Sequence, residues 1–167
     1  MYHGALAFIG GLAVGSFLNV VIYRLPREES IVFPGSHCTY CGRRLRALDL
    51  VPVLSYLALR GRCRYCRARI SLRYPLVEVL TAVLYLLVII EYGWSWLSVA
   101  GALLSALLIA CAFIDLDHGI IPDAITYPGI ITGLFLSYFT VGVSSALLGL
   151  MLFGGILLLT ALLSRGG

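Results

Sequence analysis

The chain has 167 residues, 60% of them hydrophobic and 12% charged, and its mean hydropathy is +0.99. These values exclude an ordinary water-soluble globular domain and point to a polytopic membrane protein. The 12 basic residues are all arginine and the net charge is +4, so charge is read here by position, because arginines in short loops orient membrane spans.

Apolar runs of about 17 to 25 residues cross a bilayer as helices. Five fit, near 4–23, 75–91, 97–114, 125–141 and 144–163. The first lacks a basic leading region and a small-residue cleavage site, so it reads as a retained helix and not as a secretory signal. Within it, Gly10, Gly11, Gly15 and Ser16 predict close helix packing in lipid. Asn19, a polar amide near the end of the span, is expected to bond a neighbouring helix.

Residues 24–73 form the one soluble-looking segment. Eleven arginines fall there (Arg24 through Arg73) and the twelfth is Arg165, which places this loop in the cytoplasm. The threading then puts the N-terminus, the 91–97 turn and the turn near Gly142 outside, and "DLDHGIIPD" and Arg165 inside. Trp94 and Trp96 fall at the outer ends of the second and third spans, as interfacial anchors. The loop holds "CTYC" at 38–41 and "CRYC" at 63–66, two C-x2-C knuckles separated by 21 residues. Two knuckles supply four sulfurs for a tetrahedral ion, with zinc the best fit. A disulfide pair is the rival reading, disfavoured by a reducing cytoplasm, and iron suits the same geometry. Four thiolates close the zinc shell, so the site reads as a structural staple for a loop too small to hold a core unaided. His37 reads as a surface side chain, Cys111 as a small core residue, and His3 carries no signal.

After the third span, "FIDLDHGIIPDAIT" at 113–126 places three aspartates at a membrane edge. Gly119 and Pro122 break the helix there, and Asp123 reads as a cap for the fourth span. Asp115 follows an apolar run without a polar spacer, so a partner is expected for it. Two carboxylates sharing a proton can activate water against a peptide carbonyl with no serine or cysteine nucleophile. No G-x-S-x-G, H-E-x-x-H or Walker loop offers another chemistry.

Four ordered segments then carry a resemblance: "GSFLNVVIYRLP" (15–26), the paired "CTYC" and "CRYC", "ISLRYPLVE" (70–78) and "FIDLDHGIIPDAIT". Over its whole length the chain resembles the type IV prepilin peptidases, also called prepilin leader peptidase/N-methyltransferases. The resemblance implies a multi-pass aspartyl protease of the bacterial inner membrane. Its substrates would be type IV prepilins or type II secretion pseudopilins, cut after a short basic leader at the cytoplasmic face, and it implies no nucleic-acid partner. Many members N-methylate the new N-terminus with S-adenosylmethionine. On this resemblance Asp115 matches the first catalytic aspartate, and Asp117 and Asp123 match supporting acidic positions. Cys38, Cys41, Cys63 and Cys66 match the metal site. Arg73, Tyr74, Pro75 and Glu78 match the segment closing the cytoplasmic domain. Glu78 and Arg73 are candidates for substrate or methyl-donor contact, against the plainer reading that Glu78 pairs with Arg73 or another loop arginine. The family continues into a G-x-G-D motif bearing the second aspartate. Arg165, Gly166 and Gly167 read as its lead-in, so this chain is expected to lack the complete dyad.

The expectation is an all-α polytopic membrane protein with about five transmembrane helices and a small cytoplasmic four-cysteine metal-binding loop domain: helix 1 in 1–23, the zinc domain in 24–73, and helices 2–5 with the protease motif in 74–167. The arginines are expected to face anionic lipid headgroups at about 1 kcal/mol each, leaving the acidic trio to dock a basic leader. The alternatives are a catalytically inactive membrane scaffold whose zinc loop binds a partner, and a transporter subunit using Asp115 as an ion site.

Overall fold

The computed structural model describes residues 2–164, and the expectations for Arg165, Gly166 and Gly167 lie outside them. In a bilayer the backbone must satisfy its own polar groups, and leucine-rich and alanine-rich runs do so as helices. Five long helices result: α1 (Tyr2–Arg24), α3 (Arg73–Tyr92), α4 (Trp96–His118), α5 (Asp123–Ser137) and α6 (Val143–Leu163), with a short α2 (Leu54–Ala58) inside the loop. Their ends follow local chemistry. α1 stops at Arg24, just before the Leu25–Pro26 pair. Gly119 closes α4 with φ 65°. Ser95 caps α4, its Oγ accepting from the Ser98 N–H at 3.2 Å.

Four of the five are long and apolar enough to cross a membrane: α1, α3, α4 and α6. The fourth expected span, near 125–141, is the exception, and its helix is shorter than its apolar run. α5 has 15 residues with Pro128 inside it, which gives about 22 Å of helix against about 30 Å of hydrocarbon. Beyond Ser137 the chain turns, and the Gly142 N–H returns to the Ser137 carbonyl at 2.8 Å.

α1 and α3 form an antiparallel pair in near-backbone contact. A Cβ on Gly11 would meet the Ala82 Cα at 2.5 Å, and one on Gly15 would meet the Glu78 Cα at 2.7 Å. This is the small-x-x-x-small packing that association in lipid favours. One turn further on, Asn19 continues the stripe, donating to the carbonyls of Gly15 at 3.3 Å and Tyr74 at 3.0 Å. The expected role for Asn19 is the observed one. Gly10, by contrast, has no neighbour for an added Cβ within 4 Å, so it lies off the packing stripe. α4 completes the core, with Ala106, Ile109, Ala110 and Ile114 packed on Leu18, Val21, Ile22 and Val77. Cys111 lies against this core, as a small filler. α6 buries none of its described residues.

The two ends of the bundle differ. At one end His3 meets Trp94 edge-on at 5.8 Å, and Trp96 stacks on Phe139 at 4.8 Å. At the other end lie the arginine-rich loop, the start of α3 and the turn between α4 and α5. Arg73 and Asp117 pair there.

Candidate metal centre and acidic membrane edge

The two knuckles repeat one backbone design at an offset of 25 residues. Cys38 N–H donates to the Arg43 carbonyl and Cys63 N–H to that of Ala68; Gly42 and Arg67 N–H return to the carbonyls of Cys38 and Cys63. The residue after each second cysteine adopts a left-handed conformation, φ 66° at Gly42 and 61° at Arg67. Each turn therefore aims its two sulfurs the same way. The Sγ atoms of Cys38, Cys41, Cys63 and Cys66 all lie within 4.8 Å of one another. Cys38 and Cys66 sulfurs are 3.8 Å apart, close to the roughly 3.8 Å edge of a tetrahedron with 2.3 Å metal–sulfur bonds. Separation of that size is no disulfide, and all five cysteines are free. The donor set fits one tetrahedral metal ion. His37 is not part of it; its Nδ1 lies 3.1 Å from the Gly35 carbonyl.

Cys63 and Cys66 hold their protons unequally. Backbone N–H donation, chiefly from Cys66 and also from Tyr65, brings Cys63 down to about 7 despite its burial. The Ala68 amide works to lower Cys66, but burial and the neighbouring sulfurs outweigh it and push that thiol up to about 11. Around the knuckles, Arg43 lies over the Tyr65 ring at 5.4 Å, and Arg64 Nε donates to Asp49 Oδ1 at 2.6 Å. Burial works to raise the Asp49 carboxyl, yet the Arg64 guanidinium and the Arg46 N–H hold it below its ordinary value.

The acidic residues are not a cluster. Arg73 crosses one face of α4, lying over the Phe113 ring at 5.4 Å and bonding Asp117 one turn on. Asp115, on another face, is exposed, and its carboxylate has no hydrogen-bond partner among the described residues. The partner expected for it is therefore not found there. Asp123 is the first residue of α5 and Pro122 takes the cap position, with no side-chain cap bond. Glu78 makes no pair with Arg73 or another arginine among the described residues. It is buried at 7% exposure, and its Oε2 accepts the Val53 N–H at 2.7 Å. Val53 holds the rare φ of 61° that aims this N–H.

Sequence reasoning missed Arg24, which is 6% exposed and donates to the carbonyls of Ser30 and Gly35. A charge count treats it like the ten loop arginines that follow. Its one distinguishing sign is its place at the last position of an apolar helix.

Two family models match the chain in succession. The bacterial peptidase A24 N-terminal domain covers residues 9–92, and the type IV leader peptidase family covers 102–167. The chain belongs to the type IV leader peptidase family. Among its curated relatives, a prepilin leader peptidase/N-methyltransferase of Myxococcus xanthus is 50% identical over 131 residues, covering 78% of this chain and 39% of that protein. One from Pseudomonas putida is 46% identical over 164 residues, covering 85% and 57%. A type 4 prepilin-like proteins leader peptide-processing enzyme of Escherichia coli is 44% identical over 151 residues, covering 80% and 56%. The chain spans about half the length of the curated relatives it matches. No solved structure matches it. For a leader peptidase family member, the four-cysteine cluster lies in the first matched segment and the three aspartates in the second.

Proposed function

We propose that this chain serves in a prepilin leader peptidase of the bacterial inner membrane that also N-methylates its product. Prepilins or type II secretion pseudopilins are its substrates. The observation that carries the reading is Asp115: an exposed carboxylate with no hydrogen-bond partner among the described residues, at the end of a membrane-length helix and within the segment that the leader peptidase model matches. In this reading cleavage is aspartyl chemistry. Asp115 and a second carboxylate share a proton; the ionised one takes a proton from water and the protonated one polarises the scissile carbonyl. Asp117, held by Arg73, sets the position of the α4 end, and Asp123 starts α5 beside the turn. Both are supporting residues. Exposed Asp115 and Asp123, not the engaged Asp117, are then the places where a basic leader docks.

Cys38, Cys41, Cys63 and Cys66 would hold a structural zinc. Four thiolates leave no open position for water, so the ion shapes the loop and takes no part in hydrolysis. S-adenosylmethionine is the methyl donor, and Glu78 is the contact residue on the donor or substrate side. Arg73, already bound to Asp117, positions and does not contact. The N-terminus lies outside, with the arginine-rich loop and the aspartates on the cytoplasmic side, where the arginines meet anionic headgroups.

The test is leader cleavage of a prepilin in detergent, read by mass spectrometry, by this chain alone and by the chain extended through a G-x-G-D motif. Asp115→Asn is expected to lower cleavage by about a thousandfold or more with the melting temperature unchanged, the scale seen when one member of a catalytic unit is removed. Asp117→Asn, which leaves both docking carboxylates in place and removes only an exposed ion pair with Arg73, is expected to change the KM for a basic leader by less than about threefold. Cleavage that survives Asp115→Asn would overturn the catalytic role of Asp115, and no cleavage by the unsubstituted protein in either form would favour the inactive-scaffold reading.

A further inference from the structure

A cavity of 340 Å³ lies where the loop domain sits on the ends of α1 and α3, a size that suits a small molecule. Two of its wall residues carry charged groups that are almost wholly removed from solvent and have no ion-pair partner among the described residues: Glu78 at 7% exposure and Arg24 at 6%. The Glu78 carboxylate bonds the Val53 amide and no cationic side chain among the described residues. Arg24 donates to the Ser30 carbonyl at 2.9 Å and the Gly35 carbonyl at 3.4 Å, and to no described carboxylate. Nor do the two pair with each other; the described ion pairs are Arg64 with Asp49 and Arg73 with Asp117. Opposite charges buried without a counter-charge are costly. A ligand carrying the complementary charges at two points would relieve both. Tyr23, Tyr56 and Tyr74 also line the cavity, and aromatic faces suit an onium cation or a flat ring.

We infer that this cavity binds a small zwitterion, an amino acid bearing a sulfonium, with Glu78 facing the cation and Arg24 the carboxylate. The inference rests on the proposed methyl transfer, whose donor has this charge pattern, and it assigns two residues of this chain to opposite ends of that ligand. Arg24 is then more than a clamp on the loop that follows α1.

Equilibrium binding to the intact protein in detergent tests it, with three probes. S-adenosylmethionine carries both charges. S-adenosylhomocysteine keeps the carboxylate and loses the sulfonium charge. Decarboxylated S-adenosylmethionine keeps the sulfonium and loses the carboxylate. Wild-type protein is expected to prefer S-adenosylmethionine over each of the others by roughly tenfold or more, the scale of one charge-assisted hydrogen bond. Glu78→Gln should erase the preference over S-adenosylhomocysteine and keep the other. Arg24→Gln should do the reverse. A fault in folding would weaken all three probes alike, and if either variant fails to fold, the wild-type preferences decide. Equal affinity for the three probes overturns the inference. So does no binding of S-adenosylmethionine, including the case in which a peptide with a free amino terminus binds instead. Cleavage is not read in this assay, so its failure leaves the peptidase proposal standing, and loss of that proposal leaves these affinities unchanged.

Discussion

At the scale of single residues, a thiol pushed up to about 11, as Cys66 is, keeps its proton throughout the neutral range, while Cys63 at about 7 is partly ionised there. Binding one metal ion to all four sulfurs must then expel at least the Cys66 proton. Zinc affinity is therefore expected to rise by at least about tenfold per pH unit between about pH 6 and about pH 8, and to fall equally as acid is added. Competition with a chelator of known affinity, at three pH values, measures it; a flat profile would mean that the ligands are not these thiols. The four cysteines were legible in the sequence because a C-x2-C knuckle is a local object, built from the turn that follows it. The environment of Glu78 was not legible. Its partner is a backbone amide 25 residues earlier, and a peptide N–H leaves no signature in residue type.

Between helices, the contrast between Gly10 and Gly11 is the sharpest test of packing. A Cβ on Gly11 would enter the space of the Ala82 backbone, whereas one on Gly10 meets nothing. Gly11→Ala is expected to destabilise the protein by about 1 to 3 kcal/mol, and Gly10→Ala to change stability by less than about 0.5 kcal/mol. Thermal unfolding in detergent distinguishes them, and equal effects would contradict the α1–α3 contact. Composition announced the small-residue stripe, but the face it uses depends on the partner helix, so Gly10 could not be separated from Gly11 by reading alone. The same limit explains α5. Its apolar run continues through Tyr138, Phe139 and Val141, yet the helix ends at Ser137. Hydropathy registers the side chains and is blind to where the backbone turns.

For the molecule as a whole, the loop domain and the helical bundle rest on different forces. The bundle needs only lipid and internal hydrogen bonds. Among the described residues the loop contains one short α-helix, two 3-10 turns and two isolated bridges, His37 with Arg44 and Arg62 with Arg69, so a metal ion held by its four cysteines would supply much of its order. Stripping metal with a chelator is expected to speed proteolysis between Glu28 and Ser71 by roughly tenfold or more while the helical circular dichroism of the bundle persists. Unchanged cutting would assign the stability of the loop to its own contacts. The membrane class and the metal cluster were both legible from composition and spacing. The buried Arg24 was not, because an arginine is buried only once a distant part of the chain folds over it.

The near-backbone contact of α1 with α3 has a mechanical consequence. The loop domain is carried by both helices, and helices that touch through glycines cannot shear past one another without collision. They tilt as one strut. A bilayer of different thickness would therefore tip the strut and carry the four sulfurs with it as one body.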